Sequence, residues 1–295
     1  MTLQTVGLLS PGNMGHTVGG VLVSNGLRVI TCLEDRSERT RSLAGQAGIH
    51  DVPSYEALVR ESQMILSILV PAQAERAAEK VAEELAKARA DLVYVDCNAI
   101  SPQTAREVGR IITEGDGRFV DASIIGPPPV KEGLTRFYAS GADVSIFEEL
   151  NLYGLDVRSI GERIGAASAL KMCYAALTKG LTALSTELLI AAKALGVSED
   201  LRQELELSQS ALFKRMEMGL PFMPERSRRW VGEMEEIAAT FAHVGLTPRI
   251  LEGAADIYRF VGQTELADQT PENRDPSLNL EKIISTLADS LGRLS

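Results

Sequence analysis

The chain has 295 residues, 45% hydrophobic and 24% charged, with a net charge of −10. That is an ordinary globular balance, long enough for two domains, and too acidic for a nucleic-acid surface, since nothing neutralises a run of phosphates. Cys32, Cys97 and Cys173 are odd in number and far apart, so they read as buried free thiols of a reducing compartment. With only His16, His50 and His243, a His-rich metal site is excluded. The first strand begins near Leu3, leaving no room for a signal peptide, and no apolar run approaches the roughly 20 residues of a membrane helix. The expectation is a cytoplasmic protein that needs no metal and has no nucleic-acid or membrane partner.

The apolar run Val6, Leu8, Leu9 breaks at Ser10-Pro11-Gly12, and a helical pattern starts at Asn13-Met14-Gly15. Strand, tight turn and helix start place backbone N–H groups and a positive helix end around an anion. The spacing is G-x-G-x-x-G with Ser10 in place of the first glycine, while Gly12 and Gly15 keep the positions that approach a pyrophosphate and pack helix on strand. The helix runs from about Asn13 to Asn25. A second strand, Leu27–Leu33, ends in Glu34-Asp35-Arg36-Ser37, and Asp35 lies twenty residues past Gly15, where a carboxylate accepts from ribose hydroxyls.

Arg36–Ala47 reads as a helix closed by Gly48, and Ser54 caps a short helix, Tyr55–Glu61. Met64–Val70 is a continuous apolar run stopped at Pro71, as in a parallel strand buried on both faces. Its end, Val70-Pro71, braces a ligand bound at the first turn. Ala72–Ala88 is helical, Leu92–Asp96 a strand, and Ser101-Pro102 opens another helix. Phe119–Ile125 is a strand, with closing strands at Thr135–Ser140 and Asp156–Ile160. Alternating strand and helix over residues 1–162 predicts a doubly wound, mostly parallel sheet, whose ligands bind beyond the carboxyl ends of the strands.

Residues 163–295 predict an all-helical domain. Ala166–Leu195 is one long helix and Ser198–Met218 a second. A third carries Trp230, Met234, Ile237, Phe241 and Val244, and a fourth, opened by Thr247-Pro248, carries Ile250, Leu251, Ala254, Ile257, Tyr258 and Val261 as its inner stripe. Gly262–Pro276 reads as loop and Leu278–Leu291 as a terminal helix. Apolar stripes on every helix exceed what one small bundle buries, so a homodimer built on this half is expected. Arg226, Arg228 and Arg229 suit a solvated helix end or a subunit contact better than an anion site.

The turn SPGNMG, the strand ends DCNAISP (Asp96–Pro102) and DASIIGPP (Asp121–Pro128), and the helix GAASALKMCYA (Gly165–Ala175) stand in the order seen in the β-hydroxyacid dehydrogenases. The chain resembles that family, which includes the 3-hydroxyisobutyrate and 6-phosphogluconate dehydrogenases, over nearly its whole length. The resemblance is strongest over residues 6–175, and the last hundred residues look like an atypical helical branch. It implies a nicotinamide cofactor held by Ser10, Gly12, Asn13, Met14, Gly15, Asp35, Arg36, Ser37, Val70, Pro71 and Asn98. It further implies that Lys171 handles the hydroxyl proton of a small polar hydroxy acid as hydride leaves carbon. Spacing alone favours a solvent-facing Lys171; the motif reverses that. Tyr174 either shares the proton work or packs. Asn98 corresponds to a family position beside the nicotinamide, although Asn also suits a turn.

Two departures stand out. The family's asparagine four residues after the lysine is Ala175 here. Its Ser-Gly-Gly or Thr-Gly-Gly substrate anchor is Ile125-Gly126-Pro127, which lacks the hydroxyl and one N–H. Ser123, Ile125 and Gly126 are the substrate candidates on this strand end, and Lys179, two turns beyond Lys171, is a candidate counter-charge for an acidic substrate. Asp35 argues for NAD, whereas Arg36-Ser37 with Arg39 resembles the phosphate-holding set of NADP members; the balance inclines to NADP. Two other readings compete with the dehydrogenase. One is an imine reductase on the same scaffold, against which the retained Lys171 argues. The other is a catalytically lapsed NAD(P)-binding sensor, favoured by Ala175 and Ile125.

Overall fold

The structure, a computed structural model, describes residues 3–131 and 133–292. It divides into two compact units, one ending at Met172 and the other beginning at Cys173. In the first, chain order is β1 (Thr5–Leu9), α1 (Gly15–Ser24), β2 (Arg28–Thr31), α2 (Glu38–Gln46), β3 (His50–Asp51), α3 (Tyr55–Glu61), β4 (Met64–Ser67) and α4 (Ala74–Ala88). There follow β5 (Val93–Asp96), α5 (Pro102–Glu114), β6 (Arg118–Ile125), β7 (Arg136–Ser140), α6 (Ser145–Glu148), β8 (Val157–Ser159) and the start of α7 (Ala166–Leu195).

The eight strands form one sheet in the order β3-β2-β1-β4-β5-β6-β7-β8. Every neighbouring pair is parallel except β6 with β7. The order reverses between β1 and β4, so the carboxyl ends of β1, β2, β4, β5 and β6 share one edge of a doubly wound sheet, where such folds bind ligands. Successive residues feed opposite cores: Leu8, Val29, Leu66 and Val95 pack on one face, and Leu9, Ile30, Ile65 and Tyr94 on the other. That explains the unbroken apolar runs in the sequence. Ser37, Ser54 and Ser101 cap α2, α3 and α5 by accepting from Thr40, Ala57 and Thr104 N–H.

The N-terminus of α7 is fastened to β6 by one buried carboxylate. Asp121 Oδ2 accepts from the backbone N–H of Gly165 (2.8 Å), Ala167 (3.1 Å) and Ser168 (3.2 Å) and from Ser140 Oγ (2.9 Å). Its Oδ1 accepts from Ser168 Oγ at 2.6 Å. Three otherwise unpaired helix N–H groups are thus satisfied by a negative charge at the positive helix end. Burial pushes the Asp121 carboxyl up from its ordinary range, and the Ser168, Ser140 and Gly165 donors pull it back down. Its neighbour across the sheet is Asp96 on β5, pushed up to about 7 by burial, opposed by the Asn98 N–H and raised further by the Asp121 charge.

The second unit holds the rest of α7, then α8 (Ser198–Ser208), α9 (Ser210–Gly219), α10 (Pro224–His243), α11 (Arg249–Gly262) and α12 (Leu280–Asp289). Helices α10 and α11 pack together through Met234, Ile237 and Ala238 on one and Leu251, Ala254, Ala255 and Tyr258 on the other, all buried. Trp230 meets Tyr258 edge-on at 5.2 Å between ring centroids.

Several sequence expectations change. The single helix over 198–218 is two, broken at Gln209, whose φ of −134° and ψ of 36° are not helical. Val244, 67% exposed, lies past the end of α10, and Ile250, 77% exposed, leaves the inner stripe of α11, where Ala255 stands instead. The stretch expected as loop after Gly262 contains a 3-10 turn, Glu265–Asp268, that buries Leu266 and Ala267. Cys32 and Cys97 are buried, but Cys173 is exposed. By length and composition alone, α7 is long and apolar enough to cross a membrane, contrary to the expectation that no segment is; core helices meet the same criterion, and 33% of its most apolar window is buried.

Two outcomes follow from the acidic pair. Asp121→Ala strands several buried donors and should lower unfolding free energy by about 3 kcal/mol or more, read by urea denaturation; a loss below about 1 kcal/mol contradicts the capping role. Asp96 holds its proton in the folded chain up to about pH 7 but releases it near 3.8 when unfolded. The stability it contributes is therefore present below the lower value and lost as pH rises through the window. Relative to Asp96→Asn, the wild type should lose unfolding free energy steadily between those two values, and parallel pH profiles would contradict this.

Candidate active site

The turn after β1 is built by close approach. Ser10, in the place of the first glycine, adopts φ 60°, the left-handed conformation that position requires. Its carbonyl accepts from Gly12 N–H at 2.7 Å. A Cβ at Gly15 would stand 2.6 Å from that same carbonyl oxygen, so only glycine lets α1 start against the turn. A Cβ at Gly12 would meet nothing within 4 Å: its freedom serves no protein neighbour and leaves the cradle open. His16 Nδ1 donates to the Gly12 carbonyl at 2.7 Å and holds the turn from the helix side. Helix α1 has no side-chain cap and no acid in its first turn, which suits it to an anion. These features fit a dinucleotide diphosphate at residues 10–15, with Asn13 exposed and Met14 half-buried beside it.

Beyond β2 the chain turns at Asp35, φ 57°, whose carboxylate is exposed. Arg41 pins this turn, donating Nη2 to the Leu33 carbonyl (2.6 Å) and Nε to that of Arg36 (3.2 Å). Arg36 Nη2 reaches Tyr55 Oη at 3.4 Å, and Arg39 donates to Asn13 Oδ1, tying α2 to the glycine turn. Ser37 Oγ caps α2. Three guanidinium groups and one helix N-terminus therefore gather at the end of β2, beside the exposed carboxylates of Glu34, Asp35 and Glu38. This edge suits the adenosine end of a dinucleotide, and its cations suit an added phosphate.

At the next strand ends, Val70 is 41% exposed and Pro71 opens a 3-10 turn. Asn98 sits just past β5, 3% exposed. Its Oδ1 accepts from Leu69 N–H at 2.5 Å, and its Nδ2 donates to Ser67 Oγ and Asp96 Oδ2, each at 2.9 Å. Both amide hydrogens are used. The expectation that the Asn98 amide itself fixes a nicotinamide is corrected: it locks the ends of β4 and β5 together and so shapes the floor on which a ring would lie.

At the end of β6, Lys171 Nζ donates to the Ile124 carbonyl at 2.6 Å. Asp121 anchors the first turn of α7, and Lys171 lies one turn further on, so the ammonium is placed by the same strand that caps its helix. Ser123 does not serve as expected. It is fully buried and its hydroxyl donates to the Ala167 carbonyl at 2.8 Å, so it holds α7 and cannot bind substrate. Ile125 is 4% exposed. Gly126 has φ 128°, and a Cβ there would lie 2.2 Å from the Leu134 carbonyl oxygen, so the strand end is clamped by residues 134–135. Of this trio only Gly126 is exposed backbone.

Two further candidates fall in the second unit. Tyr174 is 46% exposed, so its ring is not packed inside its own chain. Lys179 is ion-paired with Glu233, their side chains 11% and 9% exposed. A charge already neutralised is not the independent counter-charge expected for a substrate, and that assignment is withdrawn. Sequence reasoning missed Asp121 and Asp96 as the residues that hold this site. The available signal was an acid at each of two consecutive strand ends, the second facing a Gly-Ala-Ala-Ser helix start.

Comparison with known proteins agrees with this geometry. Residues 5–151 match the NAD binding domain of 6-phosphogluconate dehydrogenase, and residues 192–261 match a domain of unknown function (DUF1932). The conserved protein MTH1747, of unknown function and described as structurally similar to 3-hydroxyacid dehydrogenases, is 32% identical with a TM-score of 0.65, covering 88% of this chain and 100% of its own. An uncharacterised 28.5 kDa protein of Methanothermus fervidus is 29% identical over 208 residues, 70% of this chain and 78% of that protein. The 3-hydroxyisobutyrate dehydrogenase of Mycobacterium tuberculosis, solved with L-serine, shares the fold at a TM-score of 0.68 and 21% identity, over 97% of this chain and 99% of its own. The chain belongs to the β-hydroxyacid dehydrogenase family, in a branch that joins the NAD-binding domain of 6-phosphogluconate dehydrogenase to a helical C-terminal domain of unknown function.

Proposed function

We propose that this protein is an NAD(P)-dependent dehydrogenase of a small polar hydroxy acid, with Lys171 as the group that exchanges the hydroxyl proton. The observation that carries the reading is the Lys171 ammonium held 2.6 Å from the Ile124 carbonyl, in the row of strand ends that begins at the glycine turn. From β1 to β6 that row spans three strand spacings, about 14 Å, a distance suited to an extended dinucleotide. The cofactor supplies hydride transfer at its nicotinamide when bound. Gly12 and Gly15 admit its diphosphate, Arg36 and Arg39 receive its adenosine end, and the Val70-Pro71 turn and the Asn98-locked floor support its ring.

On this reading Lys171 as the neutral amine takes the proton of the substrate hydroxyl on oxidation, and as the ammonium returns it on reduction, within reach of the carbon that exchanges hydride. Its hydrogen bond to a strand carbonyl orients the amine. The substrate's acid group is held by something other than the usual hydroxyl anchor, since Ser123 faces Ala167 and Pro127 has no N–H. Tyr174 is a second candidate for the proton work. The arginines around α2 support NADP over NAD. A homodimer through the helical half is supported by Tyr174, Leu177 and Leu184, at 46%, 64% and 56% exposure and at helical spacing on one stripe of α7.

Lys171→Ala should lower turnover by about a hundredfold or more while the dissociation constant of the cofactor, read by calorimetry, stays within a few-fold. Full activity against a hydroxy-acid panel, or activity confined to imines, would reject the assignment. Replacing Arg36 and Arg39 with Ala should weaken NADPH roughly tenfold and NADH far less; equal losses would remove the case for a 2′-phosphate site. Lysine at both Leu177 and Leu184 should convert a dimer to monomer in light scattering, and an unchanged mass would count against this face.

A further inference from the structure

Within the helical unit, α7, α9 and the start of α10 line an open cavity of about 270 Å³ that the proposed hydride chemistry does not use. Its lining includes Lys179, Arg215, Arg226 and Trp230, with Met216 and Leu220 among the apolar residues, and among the described residues no carboxylate. The carboxylates lie behind the cations. Glu233 serves both Lys179 and Arg229, and Glu225 Oε1 meets Arg226 Nε at 3.3 Å. Arg215 makes no ion pair among the described residues. This group therefore sets four cations against two carboxylates, in a chain whose net charge is −10. Like-charged groups gathered in a cleft with apolar walls focus positive potential there.

A second observation points to a ligand. Ser185 lines the same cavity, is 2% exposed, and its hydroxyl makes no hydrogen bond among the described residues. Such a hydroxyl, with no protein partner, is left to a ligand or to water in the cavity. Opposite it, the Trp230 ring carries Lys179 Nζ at 5.7 Å from its centroid and is turned edge-on to Tyr258, whose hydroxyl donates to the Lys179 carbonyl at 2.6 Å. These contacts hold Trp230 and Lys179 in place as a rigid wall.

We propose that this cavity is a binding site for a small organic carboxylate carried on an apolar chain. The guanidinium groups of Arg215 and Arg226 take the acid group, forked donors being matched to a carboxylate. Ser185 supplies or accepts one further hydrogen bond, and Met216, Leu220 and Trp230 cover the chain. The site is assigned on the helical unit alone, so it neither requires nor tests the dehydrogenase reading.

The chain has a single tryptophan, and it lines the cavity, so its emission reports occupancy without cofactor or turnover. Titrating the full-length protein with hexanoate should give a saturable change in Trp230 emission. Hexanol, equal in length but uncharged, should give none. Arg215→Gln and Arg226→Gln should each weaken hexanoate roughly tenfold, with far-UV circular dichroism confirming the fold. In the unmutated protein added salt should weaken binding as well, which keeps the test decisive if a variant fails to fold. An equal response to hexanol, salt-independent binding, or folded arginine variants with unchanged affinity would overturn the proposal. So would inorganic phosphate binding as tightly as hexanoate, since the apolar wall would then contribute nothing.

Discussion

The buried Asp121 carboxylate is the constraint on which the first unit's site depends. It sits on β6, accepts five hydrogen bonds, and four of them come from the first turn of α7 or the residue before it. A helix thirty residues long thereby starts at one fixed point over one strand. Lys171 follows by helix geometry alone, one turn on, and its ammonium returns to the same strand at Ile124. Ser123 closes the arrangement from below by donating to the Ala167 carbonyl. Strand and helix are thus joined at consecutive levels by Asp121, Ser123 and Ile124, and the position of the amine is a consequence of that seam rather than of lysine's own flexible stem.

The adjoining strand ends are fixed by the same kind of device. Asn98 joins β4 to β5 through Leu69, Ser67 and Asp96, and Asp96 faces Asp121 across the sheet. Burial first, and the neighbouring Asp121 charge after it, raise the Asp96 carboxyl so that it holds its proton up to about pH 7. The result is a fixed floor between the glycine turn and Lys171. Preorganisation of this sort is what a hydride-transfer site needs from a protein, because the cofactor brings the chemistry and the fold sets distances.

Much of this was legible in the sequence. The parallel sheet followed from unbroken apolar runs ended by Pro, Asn or Gly, and the nucleotide turn from the spacing of Gly12 and Gly15. Ser10 was read as a departure, and its φ of 60° shows the backbone demand kept while the residue changed. Side-chain partners were not legible. Asn98, Ser123 and Lys179 are the right residue types for ligand contacts, yet each is consumed internally, by strand ends, by a helix carbonyl and by Glu233. Periodicity reports which face is apolar, not which polar group has already found its partner. The break at Gln209 escaped because its only local sign is the flanking Ser208 and Ser210, whose mild preference for caps and turns does not by itself stop a helix.

The central claim is that a pyridine dinucleotide lies with its diphosphate on residues 12–15 and its nicotinamide before Lys171. The most direct test is a crystal structure of the protein grown with NADPH. Diphosphate oxygens should lie against the backbone N–H groups of that turn, and the nicotinamide over the ends of β4 and β5, facing the Lys171 amine. A cofactor seated elsewhere, or a ring turned away from that amine, would contradict it.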